Sequence, residues 1–397
     1  MSPEREEPCM FVHFPERKGA RHSKLRYSLG SFSSTLLSEV RETTQQMPSS
    51  PLLGTWLPLL GSLVATTAAF RLRRWGRRRR GKKSLVVVSY NVLGSTDPKL
   101  YLRDRLAAIA EAVVKCASPD VICLQEASPA VVDCILTVAP HCKHVWSKKD
   151  TTLDKKAQEA MDAEGCLVIM SRWPIIAAKL VHQGGYYDDG IVKVTLASSS
   201  SDSPTAAADW LRRNLVVYNV HLSGGTFGRP PEVVRAKREG RVRELKSLCD
   251  EMTETSSPDD LVVLCGDFNA DNSDVAHYTE LCGSPEYVFD YMQDAWNVLY
   301  RHDADVSGAT EDEFKNTFRA ALKIKSQECR RRARYDKVLF NSKALRAKAI
   351  RVIGNERIGA ERVPVIGKNR QKQKIVSRTF LFPSDHFGLS AEFEVPR

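Results

Sequence analysis

Polar side chains stand at the ends of apolar runs in this sequence, and their types are those of hydrolytic chemistry. Asn91 closes the run LVVVSY, Glu126 closes VICLQ, and His221 closes LVVYNV. Asp267 and Asn269 follow LVVLCG, while Asp385 and His386 follow Phe382-Pro383-Ser384 and lead into a further run. Hydrolysing a phosphodiester needs a metal to neutralise the phosphate oxygens and a base to align or deprotonate water. It also needs donors for the oxygens as charge builds, and a group to stabilise the leaving oxygen. Carboxylates, amides and imidazoles supply all of these. Mg²⁺ takes oxygen ligands and keeps several waters, so one or two carboxylates hold it; Mn²⁺ is the alternative ion. Singly, each residue has a plainer role: a solvated carboxylate or helix cap for Glu126, a structural histidine for His221, an ordinary turn for 267–269. Their order along the chain sets them apart.

The elements that must position them alternate between strand and helix. β-branched runs predict buried strands at 84–93, 121–127, 165–172, 190–198, 215–223, 260–270, 333–341 and 386–395. Helical spacing marks 103–116, which Ser118-Pro119-Asp120 ends, and 235–252, with Leu245, Leu248 and Met252 on one face. Segments 148–164, 199–208, 301–312 and 359–378 lack a core pattern and are expected to be loops, which often carry substrate contacts. The stretch 319–337 contains Arg330, Arg331, Arg332 and Arg334. It reads either as a solvated loop or as a strip that contacts phosphate backbone. Phe227, Trp296 and Phe318 could stack on an unpaired end, with a core position the alternative for Trp296.

With 397 residues, 42% hydrophobic and 27% charged, the chain is not a collagen, a disulfide scaffold or a wholly disordered polymer. The net charge of +11 is concentrated at one place. Residues 71–83, RLRRWGRRRRGKK, hold nine positive and no negative charges, and residues 1–70 hold seven positive and six negative, which leaves about +1 for 84–397. The basic excess is therefore a tether or an address. The ten cysteines form no C-x-x-C pair or zinc-spaced cluster, and several lie in apolar runs, which predicts reduced core thiols and a reducing compartment. Residues 1–50 read as a disordered polar leader. Residues 51–70 are uncharged and just long enough for a bilayer, which takes about 20. With the basic run held on the cytosolic side, 51–83 predict a membrane anchor and a catalytic part, 84–397, facing the cytosol. The alternatives are a nuclear-localisation run and an organelle-targeting leader. No protein partner is predicted.

Taken in order, SYN at Asn91, LQE at Glu126, His221-Leu222, GDFN at 266–269, RYDKV around Asp336 and SDH at 384–386 resemble the motif series of the endonuclease/exonuclease/phosphatase (DNase I-like) superfamily. The resemblance covers 84–397 and implies a four-layer α/β/β/α sandwich, with two β-sheets face to face and helices outside. It implies Glu126 as the main Mg²⁺ ligand, Asn91 beside it, and Asp385 as a carboxylate that is either linked to the metal or supports its ligands from behind. Asp267 would orient or deprotonate the attacking water, and Asn269 would hold a phosphate oxygen. His221 would hydrogen-bond the phosphate or leaving group. His386 would donate to the phosphate, with Asp336 orienting its ring and favouring the protonated form.

DAWNVL (294–299), NTF (316–318), RYDKVLF (334–340) and FPSDHFGL (382–389) are similar to the 5′-tyrosyl-DNA phosphodiesterase branch. SYNVL (89–93) is closer to the deadenylase and 2′-phosphodiesterase branch, and His221-Leu222-Ser223 departs from the tyrosyl pattern. The implied activity is Mg²⁺-dependent hydrolysis of a phosphoester at a DNA or RNA end, of the DNA-repair type. The alternatives are an RNA 3′-exonuclease or 2′-phosphodiesterase and, from the anchor, a sphingomyelin or inositol-phosphate phosphodiesterase at a membrane. A fold kept only as a scaffold would lack Glu126, Asp267 or His386; all are present.

Overall fold

The computed structural model describes residues 84–396 except 116–117, 152–154, 185–189, 198–212, 225–229, 256–259, 271–291, 302–307, 324–329 and 369–373. The expected leader and anchor (1–83), the 199–208 loop and Phe227 lie outside the described residues. Among the described residues no helix is long and apolar enough to cross a membrane.

Two six-stranded sheets form the centre. The first runs β13 (Arg346–Ile353), β16 (Gly388–Glu394), β1 (Ser84–Asn91), β2 (Val121–Ala127), β4 (Cys166–Ser171) and β3 (His144–Ser147). The second runs β5 (Ile175–Gln183), β6 (Gly190–Leu196), β7 (Leu215–His221), β8 (Leu261–Asp267), β12 (Asp336–Asn341) and β9 (Met292–Asp294). β1 and β2 pair in parallel, as do β7 and β8, and each of these strands carries apolar residues on both faces because both faces are covered.

Strand alternation sorts the side chains into layers. Leu85, Val87, Val121 and Cys123 of the first sheet meet Val217, Val263, Cys265 and Phe340 of the second in one buried cluster between the sheets. Phe340 and Phe393 join across the sheets, with ring centroids 5.1 Å apart. On the outer side of the first sheet, Val88, Tyr90, Ile122 and Leu124 pack against α1 (Leu102–Lys115) and α2 (Pro129–Val138). On the outer side of the second, Val216, Tyr218 and Leu264 pack against Leu245, Leu248 and Met252 of α4 (Pro231–Thr255). The result is the expected α/β/β/α sandwich.

Two segments expected to be loops are not loops. Residues 148–164 form a short 3-10 turn, Lys148–Thr151, and α3 (Lys155–Glu164), which buries only Ala157 and Met161. Most of 359–378 belongs to an antiparallel ribbon of β14 (Ile358–Lys368) and β15 (Lys374–Leu381). The remaining elements are α5 (Ala295–Tyr300), α6 (Thr317–Lys323) and the short pair β10 (Glu311–Asp312) and β11 (Arg332–Ala333). Trp296 is core, as one reading of the sequence had it. Phe318 is fully buried under the Arg105 guanidinium, so it cannot stack on a ligand. The described cysteines carry no disulfide.

Candidate active site

The layer between the sheets is apolar at one end and polar at the other. Along β1 the inward positions run Leu85, Val87, Ser89, Asn91; along β2, Val121, Cys123, Gln125; along β7, Leu215, Val217, Asn219, His221; along β8, Leu261, Val263, Cys265, Asp267. Strand pairing then sets the polar ends side by side. His221 is the register partner of Asp267, and Asp267 of Asp336, so these three form one row across the second sheet. Beneath that row Gln125 Nε2 donates to Asn219 Oδ1 at 2.7 Å, and Asn219 Nδ2 donates to the carbonyls of Leu124 and Val168. This polar bridge locks the two sheets together where the apolar filling stops.

Glu126 is aimed by a break in the strand. Strict alternation would turn residue 126 towards the outer helices. Its φ of 53° and the register shift of β2 between Leu124 and Ala127 turn it instead towards Asn91. The backbone at this point is gripped from both sides. Gly94 N donates to the Glu126 carbonyl at 2.7 Å, and a Cβ on Gly165 would lie 2.5 Å from the same oxygen. Leu93 (φ 46°) and Asn269 (φ 48°) carry the same left-handed backbone just after β1 and β8. Such strain gathers where side chains must be held in place for function.

One carboxylate oxygen lies at the centre. Asn91 Nδ2 donates to Glu126 Oε1 (2.9 Å) and to Asp267 Oδ2 (3.2 Å). His221 Nε2 and His386 Nε2 each stand 3.8 Å from the same Asp267 Oδ2, and His221 Nε2 is 3.9 Å from Glu126 Oε1. The other Asp267 oxygen accepts from Asn269 N at 2.8 Å, and Asn269 Nδ2 donates to the Leu222 carbonyl, which uses one of its two N–H bonds. Asp267, Asp336 and His386 are buried, whereas the Glu126 side chain is 20% exposed and faces the opening.

His386 is held by Asp336, whose Oδ2 accepts from Nδ1 at 3.0 Å. Burial opposes charge on the ring, but Asp336 foremost, and Asp267 behind it, outweigh burial and the nearby Arg319, so His386 is pushed up to about 10. It is an imidazolium at neutral pH. Ser384 fixes the approach of this segment: its hydroxyl donates to the Asn91 carbonyl (2.7 Å) and accepts from His386 N (3.3 Å).

The expected site residues Asn91, Glu126, His221, Asp267, Asn269, Asp336 and His386 thus meet at one cleft. Asp385 lies beside them, but its carboxylate is ion-paired with buried Arg319, which also pairs with Glu311. Any metal there would share Asp385 with that guanidinium. Arg331 also reaches Glu311 (2.8 Å), and Arg334 pairs with Asp294 (2.6 Å). Much of the expected arginine strip is therefore committed to internal ion pairs rather than left as a solvated loop. The sequence reading missed Arg319, Glu311 and Ser384; only Ser384, inside the SDH motif, had a sequence signal.

Asp267, Asp336 and His386 offer ligand atoms within 4.8 Å of one another. A protonated imidazole has no lone pair to give, so this trio is better suited to proton handling than to metal. The Glu126 carboxylate with the Asn91 amide presents hard oxygen chemistry at the open edge and fits a divalent cation.

The sequence matches the Endonuclease/Exonuclease/phosphatase family over residues 88–386. Among solved structures, D. rerio TDP2 complexed with single strand DNA product is 17% identical, covering 79% of this chain and 99% of its own, with a TM-score of 0.53. TDP2 from C. elegans is 17% identical over 97% of this chain and 99% of its own, with a TM-score of 0.51. No curated protein matches the sequence. At that identity the structures speak for the fold, and the fold agrees with the family. Enzymes of the family generally depend on a divalent metal. The strand ends, the two sheets and the match over most of the chain lead to one statement: this chain belongs to the endonuclease/exonuclease/phosphatase family and is a hydrolase of phosphoester bonds.

Proposed function

We propose that the chain hydrolyses a phosphodiester at the end of a nucleic-acid strand, with Mg²⁺ as its metal. The observation that carries the chemistry is the convergence of Asn91, His221 and His386 on one Asp267 oxygen. Asp267 accepts a proton from water as the water oxygen bonds to phosphorus and the bond to the leaving oxygen breaks. His386, kept protonated and oriented by Asp336, donates from Nε2 to a phosphate oxygen as charge builds there. His221 donates to the phosphate or to the leaving oxygen, and Asn269 offers its remaining N–H to a further oxygen. Glu126 and Asn91 would hold the metal, which when bound neutralises phosphate oxygens. Asp385, paired with Arg319, sets the position of the segment that carries His386.

The nucleic-acid end is favoured by FPSDHFGL (382–389), with its resemblance to the tyrosyl-DNA branch, and by a fold shared with a TDP2 solved with single strand DNA product. The apolar stretch 51–70 and basic run 71–83 would hold the enzyme at a membrane with its catalytic part on the cytosolic side.

The test is turnover by the full-length chain on 5′-phosphotyrosyl single-strand DNA, 3′-tailed RNA and sphingomyelin, in Mg²⁺ and after EDTA. Asp267→Asn and Glu126→Gln are each expected to reduce the rate on the preferred substrate by about 10²–10⁴-fold. Cleavage of sphingomyelin alone, or cleavage that survives EDTA, would sink the reading.

A further inference from the structure

A second basic feature lies next to the catalytic segment. A cavity of about 310 Å³ opens between α6 and the β14–β15 ribbon, lined among others by Thr317, Arg330, Arg362, Ser377, Arg378 and Phe380. Three arginines and no acidic residue are among its lining residues. Two of its donors, Arg330 Nε and Ser377 Oγ, are buried without a hydrogen-bond partner among the described residues. Buried donors rarely go unsatisfied, and where they do an acceptor is missing. Three arginines around one small space call for an anion with several oxygens, and a phosphate group matches the fork of a guanidinium. The Arg362 guanidinium lies over the Phe380 ring at 5.1 Å, which holds it at the rim.

The ribbon extends this chemistry away from the cavity. Its register pairs Arg362 with Phe380, Pro364 with Arg378, and Ile366 with Val376. Alternate positions of a strand share a face, so basic and apolar residues interleave along one side. Ile366 and Val376 on that side are 44% and 62% exposed, with no core to explain them. Residues 356–380 hold seven Lys or Arg and two Glu, in a catalytic part whose net charge is only about +1. Positive charge interleaved with apolar surface suits a polymer with phosphates and flat bases better than a lone anion. α6 connects the two places: Thr317 and Ala320 line the cavity, and Arg319 from the same helix pairs with Asp385 beside His386.

We propose that the cavity binds a backbone phosphate of a nucleic-acid strand, and that the ribbon guides the strand whose end enters the active site. The proposal rests on the nucleic-acid reading given above, and its test needs no turnover. The full-length chain is titrated in EDTA with a fluorescent single-strand oligonucleotide, and anisotropy is read from 50 to 200 mM salt. Arg330→Gln combined with Arg378→Gln is expected to weaken binding at least tenfold and to flatten the salt dependence, since each lost phosphate contact removes about 0.7 from the logarithmic slope. Arg378→Glu, at an exposed position, repeats the test should the double variant melt early. Equal affinity in unsubstituted and substituted chains overturns the proposal, as does an unsubstituted chain that binds no strand. Two competitors resolve the source of the anion. Orthophosphate as potent as the strand, per phosphate, would reassign the cavity to a free anion. Phosphatidylserine vesicles that bind through the same arginines, in place of the strand, would reassign the ribbon to a lipid surface. Either result overturns strand binding. Turnover of bis(4-nitrophenyl) phosphate by the unsubstituted chain tests the active-site chemistry separately.

Discussion

At the scale of single residues the site works by unequal treatment of similar groups. Asp336 is buried and tied to His386, while Glu126 reaches the opening. The Asp336–His386 pair has a consequence for pH. His386 rises from 6.5 to about 10, against burial, chiefly because of Asp336. A proton is therefore bound more tightly in the folded chain than in the unfolded one. The stabilisation is present in full below about pH 6.5 and is lost as pH rises through about 10. Asp336→Asn removes the main carboxylate and leaves burial and Arg319 to act against charge. In the metal-free protein, the ring of His386 followed by NMR should then titrate more than one unit lower, each unit being about 1.4 kcal/mol. An unchanged titration would show that Asp336 does not set the charge of the ring.

At the scale of elements, turns matter as much as strands. Glu126 depends on a backbone conformation that alternation does not provide, and Gly165, at φ +95°, leaves no room for a side chain beside it. Gly165→Ala should displace the Glu126 backbone at a strain of about 1–3 kcal/mol. Calorimetry with Mn²⁺ should show metal affinity reduced at least tenfold; unaltered affinity would remove Glu126 from the ligand set. The sequence made strand ends such as VICLQE and LVVLCGD legible because a β-branched run that stops at one polar residue is both a buried strand and a mouth. Helix α3 was illegible because only Ala157 and Met161 are buried, too few to mark a period. The ribbon was illegible because much of it is exposed, so no core pattern was needed. Arg319 and Glu311 were illegible for a different reason. They are buried within one ion-pair cluster with Asp385 and Arg331, and such pairing leaves no apolar period in a sequence.

At the scale of the molecule the two sheets act as one body. The inter-sheet cluster draws on strands from β1 to β16, and Phe393 of β16 meets Phe340 of β12 within it. Phe393→Ala should cost about 3–5 kcal/mol, read as a fall in the denaturant midpoint with the cooperativity of unfolding retained. A loss below 1 kcal/mol would mean that the sheets are held mainly by the polar bridge at Gln125 and Asn219.

β16 lies between β13 and β1, so an early strand of the chain has a late one as its neighbour. The hydrogen bond from Ser384 to Asn91 spans 293 residues of sequence, and the one from Asn91 to Asp267 spans 176. Contacts so far apart carry a loop-closure cost that slows folding. During synthesis, β1 waits with an open edge until the ribosome has passed residue 394, and His386 cannot reach Asp267 before then. The same late segment thus completes two things at once: the pairing of β1 on its β16 side and the approach of His386 to Asp267.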